Sequence, residues 1–202
     1  MAWIQGNRYL STLEMQNNAQ IIGDYLLTKG WSLNAVCGLL GNMQSESTIN
    51  PGIWQSLNEN NMSGGFGLVQ WTPATNFTNW ADSKGYSWTD GNAQLKWIDE
   101  ETTSFGQWIE TEAYPLSFEE FKTSFESAEY LASAFLKNFE RAGVEVEEQR
   151  RSQASQWLSY LSGIIPDIPV NPDNPPSPST KKKRKKFNFI LFNINRQRRN
   201  FT

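Results

Sequence analysis

A long apolar segment that contains two glycines constrains the fold of this chain most. Residues 33–45 carry apolar side chains at the three- and four-residue spacing of a buried helical face, namely Val36, Leu39, Leu40 and Met43. Ser32 stands where a helix cap is expected. Gly38 and Gly41 cost such a helix about 1 kcal/mol each relative to alanine. We infer that a neighbouring backbone approaches them closely, as in a helix that crosses the middle of a small domain.

Further segments also show helical periodicity. Residues 50–76 do not, because they are rich in Gly, Asn, Ser and Pro, and they are predicted to form loops with a short hairpin. A capping-box pattern starts at Ser117 and opens a short helix through Phe121. The sequence therefore predicts a mainly α domain with a small loop and hairpin region. Its other predicted helices cover residues 13–29, 92–108, 126–141 and 147–161.

The composition changes after residue 164. We predict one domain over residues 1–164, because the 202-residue chain can form one well-cored domain with a remainder. Residues 165–180 are rich in proline and are predicted to be an extended linker. Residues 181–202 form a basic tail that is too short to bury a core of its own. The tail is interpreted as a docking arm or as the start of a further domain.

Charge separates the body from the tail. Residues 165–202 hold nine Lys/Arg and two Asp, a balance of +7, whereas residues 1–164 have a balance of −10. Because phosphate binding requires a basic surface, the body is not expected to bind nucleic acid. The first residues lack the basic start and apolar run of a secretory signal, and no segment is long enough to span a membrane.

The chain has no histidine and a single cysteine, Cys37. Catalytic sites built on Ser-His-Asp or Cys-His are therefore excluded, as are histidine-ligated zinc sites. Cys37 lies among apolar residues and is interpreted as a core thiol. Acid-base chemistry must then use Asp, Glu, Tyr or Lys, and no metal or organic cofactor is implied.

One acid lies where the apolar helix should give way to a turn. Glu46 begins the sequence Glu-Ser-Thr-Ile-Asn-Pro at residues 46–51, and residues 67–73 read Gly-Leu-Val-Gln-Trp-Thr-Pro. A lone carboxyl at a helix end beside a polar and aromatic wall fits the proton donor that glycoside cleavage requires. The alternative for Glu46 is an exposed side chain at a frayed helix end.

The two sequences together resemble the first two signatures of goose-type lysozymes and soluble lytic transglycosylases, Glu-Ser-x-x-Asn-Pro and Gly-Leu-x-Gln-apolar-x-Pro. Residues 30–51 and 67–73 are still more similar to the tail-associated lysozymes of phages that infect Gram-positive bacteria. The resemblance covers about residues 10–163. It implies an α+β, lysozyme-like fold.

The resemblance also implies roles for individual residues. Glu46 would be the general acid that protonates the glycosidic oxygen between N-acetylmuramic acid and N-acetylglucosamine. Ser47 and Asn50 would brace the turn that holds Glu46, as part of a candidate substrate-binding set with Gln70 and Trp71. Gln70 would hydrogen-bond the sugar and Trp71 would stack on it, although a core indole is an equal alternative for Trp71.

The second carboxyl is not defined by the sequence. The third signature of the transglycosylases, an Ala-Tyr-Asn-like helix start, is missing, and Glu140 is the nearest candidate for a second acid. For Glu140 we favour a surface ion pair with Arg141 or Lys137. Retaining and inverting enzymes differ in the separation of their two carboxyls, which sequence spacing does not give. Three loop acids remain as other candidates, namely Glu59, Asp82 and Asp90.

These observations lead to one hypothesis and two alternatives. The chain is expected to be a muramidase that cleaves peptidoglycan from the tail tip of a virion, which delivers the enzyme without a signal peptide. Other phage tail proteins are possible partners, and the basic tail has three interpretations: a docking arm, a contact with anionic wall polymers, or a nucleic-acid or membrane surface contact. The alternatives are a lytic transglycosylase that releases 1,6-anhydro products, and an inactive wall-binding tail module.

Overall fold

The computed structural model describes residues 1–141 and 146–164. The predicted linker at residues 165–180 and the basic tail at residues 181–202 lie outside the described residues, so the predicted domain boundaries stay a prediction. No helix in the described part of the chain is long and apolar enough to cross a membrane.

Helices dominate the described residues, which confirms the mainly α prediction. In place of a hairpin, residues 50–76 contain a 3-10 turn at Gln55–Leu57 and isolated bridges that join Phe66 to Trp54 and Trp71. Two of the α-helices continue into a π-helical turn, α4 into Trp97–Glu101 and α6 into Leu136–Glu140. The α-helices are α1 (Thr12–Thr28), α2 (Leu33–Ser47), α3 (Thr75–Lys84), α4 (Gly91–Lys96), α5 (Phe118–Thr123), α6 (Ala128–Phe135) and α7 (Glu147–Ser162).

Helix α2 crosses the middle of the domain, as its two glycines predicted. It packs against α1, α5, α6 and α7. A Cβ atom added to Gly38 would lie 2.9 Å from the backbone nitrogen of Ala132 in α6. One added to Gly41 would lie 2.5 Å from the carbonyl oxygen of Arg150 in α7. The glycines therefore allow α6 and α7 to approach the α2 backbone more closely than any side chain would permit.

The two helix caps predicted from the sequence, at Ser32 and Ser117, agree with the structure. The Ser32 hydroxyl accepts a hydrogen bond from the Ala35 backbone nitrogen at 3.0 Å and caps α2. At α5 the capping box is complete, because Ser117 and Glu120 each satisfy the backbone N–H of the other. Cys37 is a fully buried core thiol, and burial raises the pKa of this thiol.

Two predicted helix limits were wrong, and one helix was not predicted. The helix predicted over residues 92–108 ends with the π-helical turn at Glu101, and Trp108 instead donates its indole N–H to the carbonyl oxygen of Leu116 at 2.8 Å. The helix predicted over residues 126–141 starts at Ala128, because the Ser127 side chain caps it. Helix α3 was missed, since the loop composition before it extends into its first turn.

Candidate functional site

The C-terminal end of α2 presents Glu46 at the edge of the core. The Glu46 side chain is 23% exposed, so it can be reached from solvent. Directly after it the chain reverses through two non-glycine residues in the left-handed region, Thr48 at φ 53° and Ile49 at φ 56°. Such backbone conformations are sparsely populated and persist only where the surroundings hold them. The neighbours of this turn therefore decide where Glu46 points.

Ser47 and Asn50 hold the turn through hydrogen bonds to backbone. The Ser47 hydroxyl lies 2.8 Å from the carbonyl oxygen of Leu68, which ties the end of α2 to the loop at residues 67–73. The Asn50 side-chain amide donates to the carbonyl oxygens of Gly6 at 2.7 Å and Arg8 at 2.6 Å. Both side chains are fully buried. This geometry supports the bracing role and leaves neither residue an exposed atom for a sugar.

Arg150 of α7 is the residue of the site that the sequence analysis missed. Its guanidinium forms an ion pair with the carboxylate of Glu46, and its Nη1 donates to the Asn42 side-chain oxygen at 2.9 Å. Arg150 is 4% exposed, which is rare for a charged residue unless it is paired. A charged residue at one position of the buried face of α7 was the signal that could have identified it.

A row of side-chain contacts joins α2 to α7. Going back along α2 from Glu46, the Ser45 hydroxyl donates to the Gln153 side-chain oxygen at 2.7 Å. One residue earlier, Gln44 accepts the indole N–H of Trp157 at 2.9 Å. Residues 150, 153 and 157 lie on one face of α7 by helical spacing. This face of α7 therefore packs against the end of α2. The Arg150–Glu46 ion pair is the contact nearest to the turn at Thr48 and Ile49.

Glu140 does not form the surface ion pair with Arg141 or Lys137 that we favoured, so that interpretation was wrong. Its Oε1 is buried and has no hydrogen-bond partner among the described residues, although the residue keeps some exposure. Arg141 instead donates to the carbonyl oxygen of Gln107 at 2.6 Å, and the Lys137 ammonium lies 3.5 Å from a carboxylate oxygen of Glu147. The apolar end of α6 carries Glu140 inward with the buried Phe139 beside it.

Glu140 and Glu46 lie within electrostatic reach of each other. Burial raises the pKa of Glu140 well above its ordinary value, and the negative charge of Glu46 raises it further. Arg150 and Arg141 act in the opposite direction on the pKa of Glu140. The structure thus brings together a carboxyl with one buried oxygen and a raised pKa, Glu140, and a partly exposed carboxyl that pairs with an arginine, Glu46.

The other candidate acids have separate structural explanations. Asp90 caps α4, because its carboxylate accepts the backbone N–H of Asn92 at 2.9 Å. Asp82 accepts the indole N–H of Trp88 at 2.7 Å, and Glu59 is exposed. No group of three or more Cys, Asp or Glu residues in the described ranges could hold a metal ion.

The loop at residues 67–73 presents one of its two predicted sugar-binding residues. Gln70 is partly exposed and takes a left-handed backbone conformation, φ 51°, while its amide donates to the carbonyl oxygen of Gly67 at 3.0 Å. Trp71 is 3% exposed and stacks on Phe77 with ring centroids 4.6 Å apart. Its edge contact with Trp97 covers it further. This burial favours the core role of Trp71, and we assign no sugar contact to it.

Comparison with known proteins identifies the family of this chain. A family model described as phage tail lysozyme matches residues 17–161, which include Glu46, Glu140 and Arg150. Over 151 residues the chain is 52% identical to morphogenesis protein 1 of Bacillus phage B103. The matched region is 75% of this chain, and it spans 41% of the length of that relative. Because the family model covers most of the chain, the chain belongs to the phage tail lysozyme family.

Proposed function

We propose that this chain is a muramidase, which cleaves the β-1,4 bond between N-acetylmuramic acid and N-acetylglucosamine in peptidoglycan. Membership of the phage tail lysozyme family supports a peptidoglycan-degrading enzyme. The observation that carries the finer proposal is that Glu46, at the partly exposed end of α2, lies within electrostatic reach of a second carboxyl, Glu140, whose Oε1 is buried. Glycosidases of this kind use two carboxyl groups, one of which must hold a proton at the working pH.

Glu46 is the general acid of the proposed reaction because it begins the Glu-Ser-Thr-Ile-Asn-Pro sequence at the end of α2, where solvent reaches its side chain. Its side chain is 23% exposed, whereas the Oε1 atom of Glu140 is buried. When two carboxyls interact strongly, a proton belongs to the pair rather than to either residue. Glu140 allows the pair to keep that proton, and Glu46 delivers it to the glycosidic oxygen. The C–O bond then breaks, and its electron pair stays with the leaving sugar.

A second carboxyl in the site favours hydrolysis over the transglycosylase alternative. After the proton has left, Glu140 and Glu46 provide negative charge near the developing oxocarbenium ion, and one of them can activate water. A transglycosylase uses the muramyl hydroxyl as the internal nucleophile and needs no second carboxyl for a water molecule. The products distinguish the two reactions.

We place the enzyme on the virion, at the tail tip, where it opens the host wall during entry. The family, which is described as phage tail lysozyme, supports a tail location, and the relative is a morphogenesis protein of a phage. Peptidoglycan is the proposed substrate, and other tail proteins are the proposed partners. The balance of +7 in residues 165–202 suits a contact with anionic wall polymers.

Digestion of purified peptidoglycan tests this function. The full chain should release muropeptides with reducing-end muramic acid, identified by mass spectrometry. Glu46→Gln should lower the rate by about 1,000-fold, because general acid catalysis contributes 10²- to 10⁴-fold. Glu59→Gln is the matched control, since it removes one carboxylate from an exposed loop position, and its rate should equal that of the wild type.

Two results would overturn the proposal. Products with 1,6-anhydro ends would identify a lytic transglycosylase. Absence of any release by a folded wild-type protein would support an inactive wall-binding module. Equal release by Glu46→Gln and an active wild type would show that Glu46 is not the general acid.

A further inference from the structure

Arg150 contacts the proposed site from a helix that no sequence signature marks. Its guanidinium is buried, it pairs with Glu46, and its second branch donates to Asn42 at 2.9 Å. Breaking such a buried pair from one side leaves an uncompensated charge, whereas a hydrophobic pair of equal volume can be as stable. Stability alone therefore does not explain a buried arginine at this position, and a role in the chemistry is the better explanation.

Building on the proposed function, we propose that Arg150 is a positioning residue for glycoside cleavage. Arg150 holds the carboxyl of Glu46 at the end of α2. It also balances the second negative charge that the Glu46–Glu140 pair gains when it gives up its proton.

The positioning part follows from how Arg150 is anchored. Asn42, one helical turn before Glu46, is fully buried and donates to the carbonyl oxygens of Gly38 and Ala132 at 2.9 and 3.0 Å. Its remaining oxygen accepts from Arg150. The guanidinium is thus fixed to the α2 backbone through Asn42 while its other branch reaches Glu46. A planar fork suits this double contact, and the single ammonium of lysine does not.

The charge-balancing part follows from the groups around the guanidinium. Helix α2 supplies Glu46, and the π-helical turn after α6 supplies Glu140 and Arg141. At the start of α7, Glu147 pairs with Lys137, and Arg151 lies 4.0 Å from Glu148, so these charges are balanced locally. On α6, Glu129 interacts with Ser155 and Arg151. Arg150 is therefore the buried cation, among the described residues, that acts on both catalytic carboxyls.

The positive charge of Arg150 stabilises the two carboxyls more after proton donation than before it. Before the reaction the pair holds one proton and one negative charge, and after transfer to the glycosidic oxygen it holds two negative charges. Like charges in a site of low dielectric repel strongly, and a fixed positive charge offsets this repulsion without reorganisation. Loss of Arg150 should therefore slow the chemical step more than it weakens substrate binding.

Three variants test the role of Arg150 with a soluble peptidoglycan oligomer as substrate. Arg150→Gln should lower kcat by about 100-fold with little change in KM, as expected when a reacting group is misplaced. The alkaline limb of its pH profile should move to higher pH, because Arg150 lowers the pKa of Glu140. Arg150→Lys keeps the charge, so its alkaline limb should stay near that of the wild type although kcat falls.

Arg151→Gln is the matched control, because it removes the same charge from the adjacent, 45% exposed position of α7. It should leave kcat and the pH profile unchanged. Circular dichroism and Tm identify variants that fail to fold. If Arg150→Gln does not fold, Arg150→Lys is the test in its place. A wild-type kcat in Arg150→Lys would then overturn the proposal. A folded Arg150→Gln with an unmoved alkaline limb also overturns it. Absence of activity in the wild type would instead contradict the proposed function itself.

Discussion

The two carboxyls of the site occupy similar positions in their helices but differ in their surroundings. Glu46 lies at the end of α2 and Glu140 at the end of the π-helical turn after α6, and each comes shortly before a non-glycine residue with positive φ. Glu46 is partly exposed and pairs with Arg150. Glu140 has a buried Oε1 without a partner among the described residues. The elements packed against each helix end, rather than the end itself, therefore set the two environments.

Helix α7 creates much of this difference. It contributes Arg150 to Glu46 and contacts the preceding residues of α2 through Gln153 and Trp157. Two carboxyls with divergent environments are the usual arrangement of acid-base sites, because the two groups must hold their protons to different degrees. The register between α2 and α7 is thus a condition for the proposed chemistry as well as for the core.

The largest expected effect comes from Gly41→Ala, which would disturb the packing of α7 against α2. In Gly41→Ala the new Cβ would lie 2.5 Å from the carbonyl oxygen of Arg150 and 2.9 Å from the backbone nitrogen of Ala154. Because these neighbours are backbone, α7 must move away, and Arg150 moves with it. We expect the free energy of unfolding to fall by about 3 kcal/mol, at the upper end of the usual overpacking cost. Urea denaturation measures this loss, and the digestion assay should show that activity falls as well.

Gly163→Ala is the control for this prediction. Its added Cβ would meet only the carbonyl oxygens of Tyr160 and Ser159, at 3.4 and 3.6 Å. Its unfolding free energy should remain within about 0.5 kcal/mol of the wild type, as for most surface substitutions. A Gly41→Ala protein that is equally stable and fully active would show that the close approach of α7 is not required.

The sequence predicted the helix that carries Glu46 far better than it predicted the surroundings of Glu140. The helix, its cap at Ser32 and the close contacts at Gly38 and Gly41 follow from local spacing and from the cost of glycine in a helix. Glu140 was misassigned because Arg141, its expected partner, instead donates to the carbonyl oxygen of Gln107, 34 residues away in the chain. Arg150 was missed since its partner, Glu46, lies 104 residues away in the chain. Such long-range contacts have no signal in local periodicity.

A second prediction tests the different environments of Glu140 and Glu46 through the pH dependence of the unfolding free energy. The pKa of Glu140 is raised in the folded protein, so between pH about 4.3, the ordinary value for glutamate, and the folded pKa, the native state binds more protons than the unfolded state. The stability that Glu140 contributes is then fully present below this window and is lost as pH rises through it. The slope reaches at most about 1.4 kcal/mol per pH unit.

Glu140→Gln isolates this effect. Urea denaturation of both proteins across the window gives the difference in unfolding free energy, wild type minus variant, which should fall with rising pH and then level off. Groups that both proteins share cancel in the difference, such as Glu14, whose bonds to Arg8 and Ser11 lower its pKa to about 2. A difference that does not change with pH would mean that Glu140 titrates as an ordinary exposed glutamate, and the contrast with Glu46 would disappear.

The smallest expected effect concerns Asp90, which could replace Glu140 as the second acid only if its carboxylate took part in the reaction. In the structure that carboxylate caps α4 through the backbone N–H groups of Asn92 and Ala93. Asparagine caps helices about as well as aspartate, so Asp90→Asn should change the unfolding free energy by no more than about 0.5 kcal/mol. Its digestion rate should remain within about twofold of the wild type, whereas loss of a catalytic carboxyl costs about 100-fold or more. A loss of that size in a folded Asp90→Asn protein would transfer the second catalytic role from the end of α6 to the start of α4.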